Sequence, residues 1–387
     1  MEARPPPSHG RRRRPWQDLP SELLGLVLQC VPSHADRVRV RAVCRQWRAV
    51  ARMQAPLPAL FPWLALRDGS LLSLPDGEVH RRVLVPDDDV AHLVSIGSTL
   101  FLVHSDDGCS LMDPLSREMM APRRIDLNCL CPRPGVGNIR KVVVMSDHAV
   151  AVAVRTGDLM HFQNVTISIR RPQSTTVEWR WIRRLGPKPY YVVDMALFQD
   201  KLYVLAAAYV GEGSSCLYVM DIVGGNKYVN VQCVISMPKD SIMDQVLVGT
   251  SRCYLVASGD RLLMVKQKEM LFRLRSNSNS LVSPALFEVF EAVDLSSGHG
   301  RWREVNTLMG RALFLSEGCS ESLPVSAGQD FGVREDCIYF LSKLNKCHLY
   351  CGMYDMTKGT VSPLPFETVL ESHDGPFSAT WFFPADT

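Results

Sequence analysis

The chain has 387 residues, 46% of them apolar and 21% charged, with a formal net charge of only +3. This is the composition of a globular protein with a real core, and the length suits one small module plus one large domain. So small a charge sets up no global field for nucleic acid, and the longest apolar stretch, residues 142–154, is interrupted by Asp147 and His148 and does not span a bilayer.

The chain opens Met1-Glu2-Ala3-Arg4-Pro5-Pro6-Pro7 and reaches Arg11-Arg12-Arg13-Arg14. Residues 1–15 are expected to be a disordered basic, Pro-rich tail, in which the four arginines have the composition of a nuclear import signal or of a solvated charged run. No apolar core of a secretory signal is present, and the expected location is the cytoplasm and/or the nucleus.

Residues 16–55 read as a small helical module. Leu19, Leu23, Val27 and Val31 repeat every four residues, and Leu24 and Leu28 form a second row beside them. A surface helix needs one apolar stripe, so two rows imply two buried sides, one facing the module and one facing a partner. Asp18 stands at an N-cap position, and Pro20 suits a first turn, where a missing N–H costs nothing. Pro32 is expected to end the helix and Ser33 to begin the next. In a second helical stretch Val40, Val43, Cys44, Trp47, Val50 and Ala51 share one face, with Arg41, Arg45, Arg48 and Arg52 on the other. The prolines of Ala55-Pro56-Leu57-Pro58-Ala59-Leu60-Phe61-Pro62 stop helix, and residues 56–62 read as a linker.

Residues 63–384 are β-rich. Short runs such as Thr99-Leu100-Phe101-Leu102-Val103, Lys201-Leu202-Tyr203-Val204-Leu205, Cys253-Tyr254-Leu255-Val256 and Cys337-Ile338-Tyr339-Phe340-Leu341 alternate with Gly, Asp, Asn and Ser turns. Phe101 and Tyr203 stand about a hundred residues apart, Tyr254 about fifty further on, and the Val150 strand falls midway in the first interval, a spacing of the size of a kelch-like propeller blade. The interval to Tyr339 is wider. Asp221-Ile222, Asp294-Leu295 and Asp355-Met356 each end a strand and enter a turn. Arg301 to Val305 and Thr360 to Leu364 follow two of these as outer strands, and Glu178 to Ile182 reads as another. The expected fold is thus α+β and multidomain, a small N-terminal three-helix module followed by an all-β propeller of about six blades, five or seven remaining open. Residues 269–285 read as a loop inserted in a blade, and Thr380-Trp381-Phe382-Phe383 is expected to close the ring on Trp63-Leu64-Ala65-Leu66.

Twelve cysteines contain no Cys-x-x-Cys pair. Cys129-x-Cys131 and Cys347-His348-x-x-Cys351 are isolated from one another, so buried free thiols are expected rather than a metal set. Phosphate-loop, His-Glu-x-x-His and Gly-x-Ser-x-Gly motifs are absent. Gly211-Glu212-Gly213-Ser214-Ser215 reads as a hairpin loop, Asp87-Asp88-Asp89 as a solvated turn, and His80, His92, His104, His148 and His161 as satisfied strand positions. No catalytic residue, cofactor or metal ligand is assigned.

Leu19-Pro20-x-Glu22-Leu23-Leu24 followed by Val43-Cys44-Arg45-x-Trp47 resembles the F-box. Phe287 to Phe290, Asp294-Leu295, Arg301-Trp302, Gly310 to Leu315, Cys337 to Phe340 and Thr380 to Phe382 stand in the order seen in a large plant family with a C-terminal F-box-associated β-propeller. The resemblance implies a plant source and the substrate-recognition subunit of a Skp–cullin–F-box ubiquitin ligase, its propeller binding an unknown protein substrate. Leu19, Pro20, Leu23, Leu24, Leu28, Val43, Cys44 and Trp47 would carry docking on the Skp-type adaptor, and through it on cullin, with Leu19, Pro20 and Trp47 mattering most. The alternative is a small-molecule-binding or catalytic propeller with the helical segment as a structural attachment. A cluster of convergent titratable groups at the propeller axis would favour it, and none can be picked out of the sequence.

Overall fold

The apolar run after Pro20 is helical. In a computed structural model the described residues are 16, 19–31, 33–54, 61–66, 69–73, 79–82, 90–104, 108–114, 119–126, 139–144, 150–156, 164–170, 190–208, 215–221, 230–236, 251–268, 286–297, 299–316, 318–325, 332–343, 348–364, 370–371 and 379–384. The arginine run, Asp18, Pro32, the Asp87 to Asp89 triplet, Cys129, Cys131, Cys347, the strand expected at 178–182 and the insertion at 269–285 lie outside them. The chain divides into two compact units, one holding the helices and the other the strands.

The helical unit comprises α1 (Ser21–Cys30), α2 (His34–Ala42) and α3 (Arg45–Met53). Pro20 is the N-cap of α1, and its carbonyl accepts the Leu24 N–H at 3.1 Å. Ser33 begins α2 as expected, its side chain accepting the Asp36 N–H. The unit has the three helices expected, and the second helical stretch divides at Cys44 into two of them. Cys44 is extended (φ −157°, ψ 171°), and its Sγ accepts the Trp47 N–H at 3.4 Å, so it caps α3 inside the apolar run Val40 to Ala51. Arg37 is buried, and its Nε donates to the Val31 carbonyl at 3.0 Å, tying α2 to the end of α1. Gly25 lets α1 approach the end of α3, since a Cβ there would meet the Gln54 amide at 2.6 Å.

The second unit contains β1 (Trp63–Leu66), β2 (Ser70–Leu72), β3 (Val79–Arg82), β4 (Val90–Ile96), β5 (Thr99–His104), β6 (Gly108–Met112), β7 (Met119–Asp126), β8 (Ile139–Val144), β9 (Val150–Thr156), β10 (Asn164–Arg170), β11 (Tyr190–Phe198), β12 (Lys201–Ala208) and β13 (Ser215–Asp221). It continues with β14 (Asn230–Ser236), β15 (Ser251–Ser258), β16 (Arg261–Lys268), β17 (Leu286–Val293), β18 (Arg301–Val305), β19 (Arg311–Leu315), β20 (Ser320–Pro324), β21 (Cys337–Lys343), β22 (His348–Asp355), β23 (Thr360–Pro363), β24 (Leu370–Glu371) and β25 (Ala379–Phe382).

These strands form six sheets among the described residues: β25-β1-β2-β3, β4 to β7, β8 to β10, β11 to β14, β15 to β18, and β20-β19-β21-β22-β23 with β24 on β22. Five have four strands or more, and the third has three described. The fold is an all-β propeller, as expected, and the sheets number within the expected range of five to seven blades. Strands β25, β4, β8, β11, β15 and β20 neighbour one another in turn and form the inner ring. Blade six departs from a plain meander. Strand β19 pairs antiparallel with β20 and parallel with β21, which places the extra strand β20 at the axis. The outer strands expected at Arg301 and Thr360 are β18 and β23.

Ring closure occurs as expected, with β25 antiparallel to β1 in the register Trp63↔Phe382, Leu64↔Trp381, Ala65↔Thr380 and Leu66↔Ala379. Trp381 is fully buried, and its Nε1 donates to the Leu315 carbonyl at 3.0 Å, tying the closing strand to blade six. Phe314 stacks on Tyr339 at 4.7 Å, and both Phe61 and Trp381 meet Phe314 edge-on at 5.7 and 5.2 Å. Phe61, at the end of the expected linker, is thus part of the propeller core.

The aromatic period equates strands that are not equivalent. Phe101 and Tyr203 lie on β5 and β12, the second strands of their blades, whereas Tyr254 lies on the inner strand β15. The second strand of blade five is β16, whose buried residues Leu262, Leu263, Met264 and Val265 include no aromatic, so the aromatic marker fell on the neighbouring strand.

Candidate functional site

The two apolar rows of α1 have different fates. Leu24 and Leu28, at i and i+4, are 1% and 0% exposed and form the unit's core with Ala51. Leu19, Val40, Trp47 and Val50 pack against it, partly buried. Leu23, Leu26 and Val27, at i, i+3 and i+4 on another face, are 48%, 57% and 44% exposed. A helix whose own core is complete and which still presents three large aliphatic side chains has a surface made for apolar contact. Val38, Val43 and Met53 are also exposed.

The eight expected docking residues therefore divide. Pro20, Leu23 and Val43 are exposed, Leu24 and Leu28 are core, and Leu19, Cys44 and Trp47 are intermediate. Cys44 holds the start of α3, and the Trp47 Nε1 donates to the Trp16 carbonyl at 3.2 Å. Sequence reasoning left Leu26 out of the set, although its i+3 spacing from Leu23 was the available signal.

At the propeller axis the structure holds a charged cluster that the sequence did not reveal. Lys141 on β8 pairs with Asp194 on β11, Nζ lying 3.2 Å from Oδ1 and 3.3 Å from Oδ2, and both side chains are buried. The Asp194 carboxylate also accepts the N–H of Met195 at 2.9 Å and that of Leu255, on β15, at 2.8 Å. One carboxylate thus joins blades three, four and five. Both charged residues follow register shifts, at Ile139/Lys141 and at Val192/Asp194, and bulges of this kind re-aim side chains.

Strand β20 and the turn before it complete the axis. Burial raises the Glu321 carboxyl above its ordinary range, the Lys141 ammonium opposing the shift. Burial, with Glu321 close by, pushes the Cys319 thiol up to about 12. Ser316 Oγ donates to the Cys319 carbonyl at 2.8 Å and lies 3.4 Å from Thr380 Oγ1 on β25. Polar groups from blades one, three, four, five and six therefore meet at the axis. Among the described residues no three His, Cys, Asp or Glu side chains are placed to hold a metal ion, and no helix is long and apolar enough to cross a membrane.

Of the histidines singled out, His104 has a described side chain. It is buried, with Nε2 2.8 Å from Ser110 Oγ on the adjacent strand. Cys351 is a free thiol, pushed up to about 12 by burial.

A three-helix unit with one complete core and one exposed apolar row, preceding a six-sheet propeller, is the architecture of an F-box substrate receptor. The chain belongs to the KIB1-4 beta-propeller family, whose description matches residues 71–359, and an F-box-like domain matches residues 16–55. No curated protein matches the chain. Among solved structures it is similar to the N-terminal domain of Nup159, at 12% identity over 79% of this chain and 75% of that one, with a TM-score of 0.32. It is also similar to a protein of unknown function from Bacteroides thetaiotaomicron, at 12% identity over 84% and 69%, TM-score 0.37. A third is an oligogalacturonate lyase in complex with manganese, at 12% identity over 77% and 70%, TM-score 0.34.

Proposed function

We propose that this protein is the substrate-recognition subunit of a Skp–cullin–F-box ubiquitin ligase. The helical unit docks on the Skp-type adaptor, and the propeller holds a protein substrate for ubiquitin transfer. The observation that carries the reading is the exposed Leu23, Leu26 and Val27 row on a helix whose Leu24 and Leu28 row already fills its own core. Pro20 and Val43 extend the proposed contact, while Leu19, Cys44 and Trp47 shape the unit that presents it. The chain does no bond chemistry in this role; it raises the effective concentration of substrate lysines near the charged ubiquitin carrier. It works in the cytoplasm, the nucleus or both.

The test is a pull-down of the full chain by purified Skp-type adaptor. A Leu23→Asp/Val27→Asp double variant, altered only at exposed positions, is expected to lose binding while keeping the wild-type circular dichroism spectrum. Binding unchanged in that variant overturns the proposed docking face.

The axial cluster of Lys141, Asp194, Cys319 and Glu321 favours a second reading, in which the propeller takes a small molecule at its axis. Under it, Glu321→Gln changes ligand-induced thermal stabilisation of the full chain and leaves adaptor binding intact.

A further inference from the structure

Two thiols in blade four stand outside both readings. Cys216 lies on β13 and Cys233 on the outer strand β14. Pairing runs Cys216↔Ser236 and Leu217↔Ile235, then shifts so that Tyr218 opposes Cys233. The extra residue is Val234, and Val234 and Ile235 are both buried with Leu217 in one cluster. Two residues facing one is a β-bulge. Without it Cys233 would oppose Val219 and point to the other side of the sheet from Cys216, because side chains alternate along a strand.

With the bulge, Cys233 shares the face of Cys216 and Tyr218, which pack together in a different cluster. Cys233 becomes the diagonal cross-strand neighbour of Cys216 on one face of the sheet. The two side chains interact, and Cys233 Sγ donates to the Ile235 carbonyl at 3.4 Å. Neither is in a disulfide; Cys216 is buried and Cys233 exposed.

We propose that Cys216 and Cys233 form a reversible modification site, closing to an intrachain disulfide under a small peroxide oxidant and reopening with a dithiol reductant. In closure the two thiols give up two electrons and two protons, the O–O bond of hydrogen peroxide breaks, two waters form and one S–S bond forms. In reopening a dithiol passes two electrons and two protons back and becomes a disulfide itself. The bond would fasten the outermost strand of blade four to its neighbour.

The hydrogen bond with Cys216, together with burial, raises the Cys233 thiol far above the ordinary thiol range. The nucleophilic form is thiolate, so closure is slow near neutral pH and quickens as pH rises.

The experiment treats the full chain with hydrogen peroxide, alkylates remaining thiols and maps peptides without reduction. The expected result is one peptide pair joined through Cys216 and Cys233, lighter by two hydrogens, abolished by dithiothreitol and absent in Cys233→Ser. Cys253→Ser is expected to retain it, and the oxidised wild type to melt at a higher temperature than the reduced. Recovery of Cys216 and Cys233 as separately alkylated thiols while exposed Cys30 is oxidised overturns the proposal. So does a cross-link from Cys233 to any other cysteine.

Discussion

Asp194 joins three blades of the inner ring. It meets one ammonium and two backbone N–H groups drawn from three blades. Lys141→Met leaves the carboxylate with its two amide donors and is expected to cost about 3–5 kcal/mol, the range for breaking a buried pair. Asp194→Leu strands the lysine and both amides, each unsatisfied group adding about 1–3 kcal/mol, so it should be the worse variant in urea denaturation. Glu321 behaves oppositely. Its carboxyl is raised by burial, so the native state binds its proton more tightly and stability falls as pH rises above the usual carboxylate range. Glu321→Gln is expected to raise the melting temperature at neutral pH and to lose that advantage in acid. Asp355 has the reverse sign. Its pKa is lowered from 3.8 to about 2, first by the Thr357 hydroxyl and then by Lys358. The stability it contributes is complete above 3.8 and is lost as pH falls toward about 2, so Asp355→Asn should flatten that part of the acid limb in pH-dependent melting. The sequence displays Asp194 as one charge inside the apolar run Tyr190 to Phe198. What it does not display is the bulge before it, and that local irregularity rather than residue type turns the side chain into the axis.

At the level of elements, α1 was legible because helical periodicity is strict. Leu24 and Leu28 fall on one row and Leu23 and Val27 on another, and burial follows the rows. Which row faces inward was not legible, since both carry the same residue types and the choice depends on where α3 crosses. Leu24→Ala should cost about 2–5 kcal/mol as a core truncation, and it should weaken adaptor capture only by unfolding the unit. Leu23→Asp should leave the melting curve nearly unchanged. Three helices were expected, but the place of the break between α2 and α3 was not legible, because Val40 to Ala51 keeps helical spacing across it. Only the extended backbone at Cys44, with its sulfur accepting the Trp47 N–H, marks the boundary. Cys44→Ala is expected to destabilise the helical unit by roughly 0.5–1 kcal/mol, the low end for a lost N-cap because sulfur is a weak acceptor. Strand existence was read well where turns are polar. Strand order in blade six was not, because the parallel pairing of β19 with β21 joins segments separated by a hairpin and leaves no local signature.

At the level of the whole propeller, one blade is shared between the two ends of the β-rich region. Strand β25 supplies the inner position and β1 to β3 the rest, with Trp381 clamped by Leu315, Phe61 and Phe314. Trp381→Ala is expected to cost about 3–5 kcal/mol and to make blade one the earliest site of limited proteolysis. Ring closure was foreseeable from the aromatic run at 380–383, because an apolar strand remote from any hairpin partner must find one elsewhere. The aromatic period was a poorer guide, since β16 fills the same layer with aliphatic side chains. The shared blade also orders events during translation. Trp63 emerges from the ribosome about 320 residues before Phe382, an interval of roughly 16–64 s at ordinary elongation rates. The three helices can fold within that window, whereas β1 to β3 must wait with one edge unpaired. The helical unit is thus available to meet the proposed adaptor while the ring is still open, and an early partner or chaperone that covers the waiting edge would protect the nascent chain until β25 arrives.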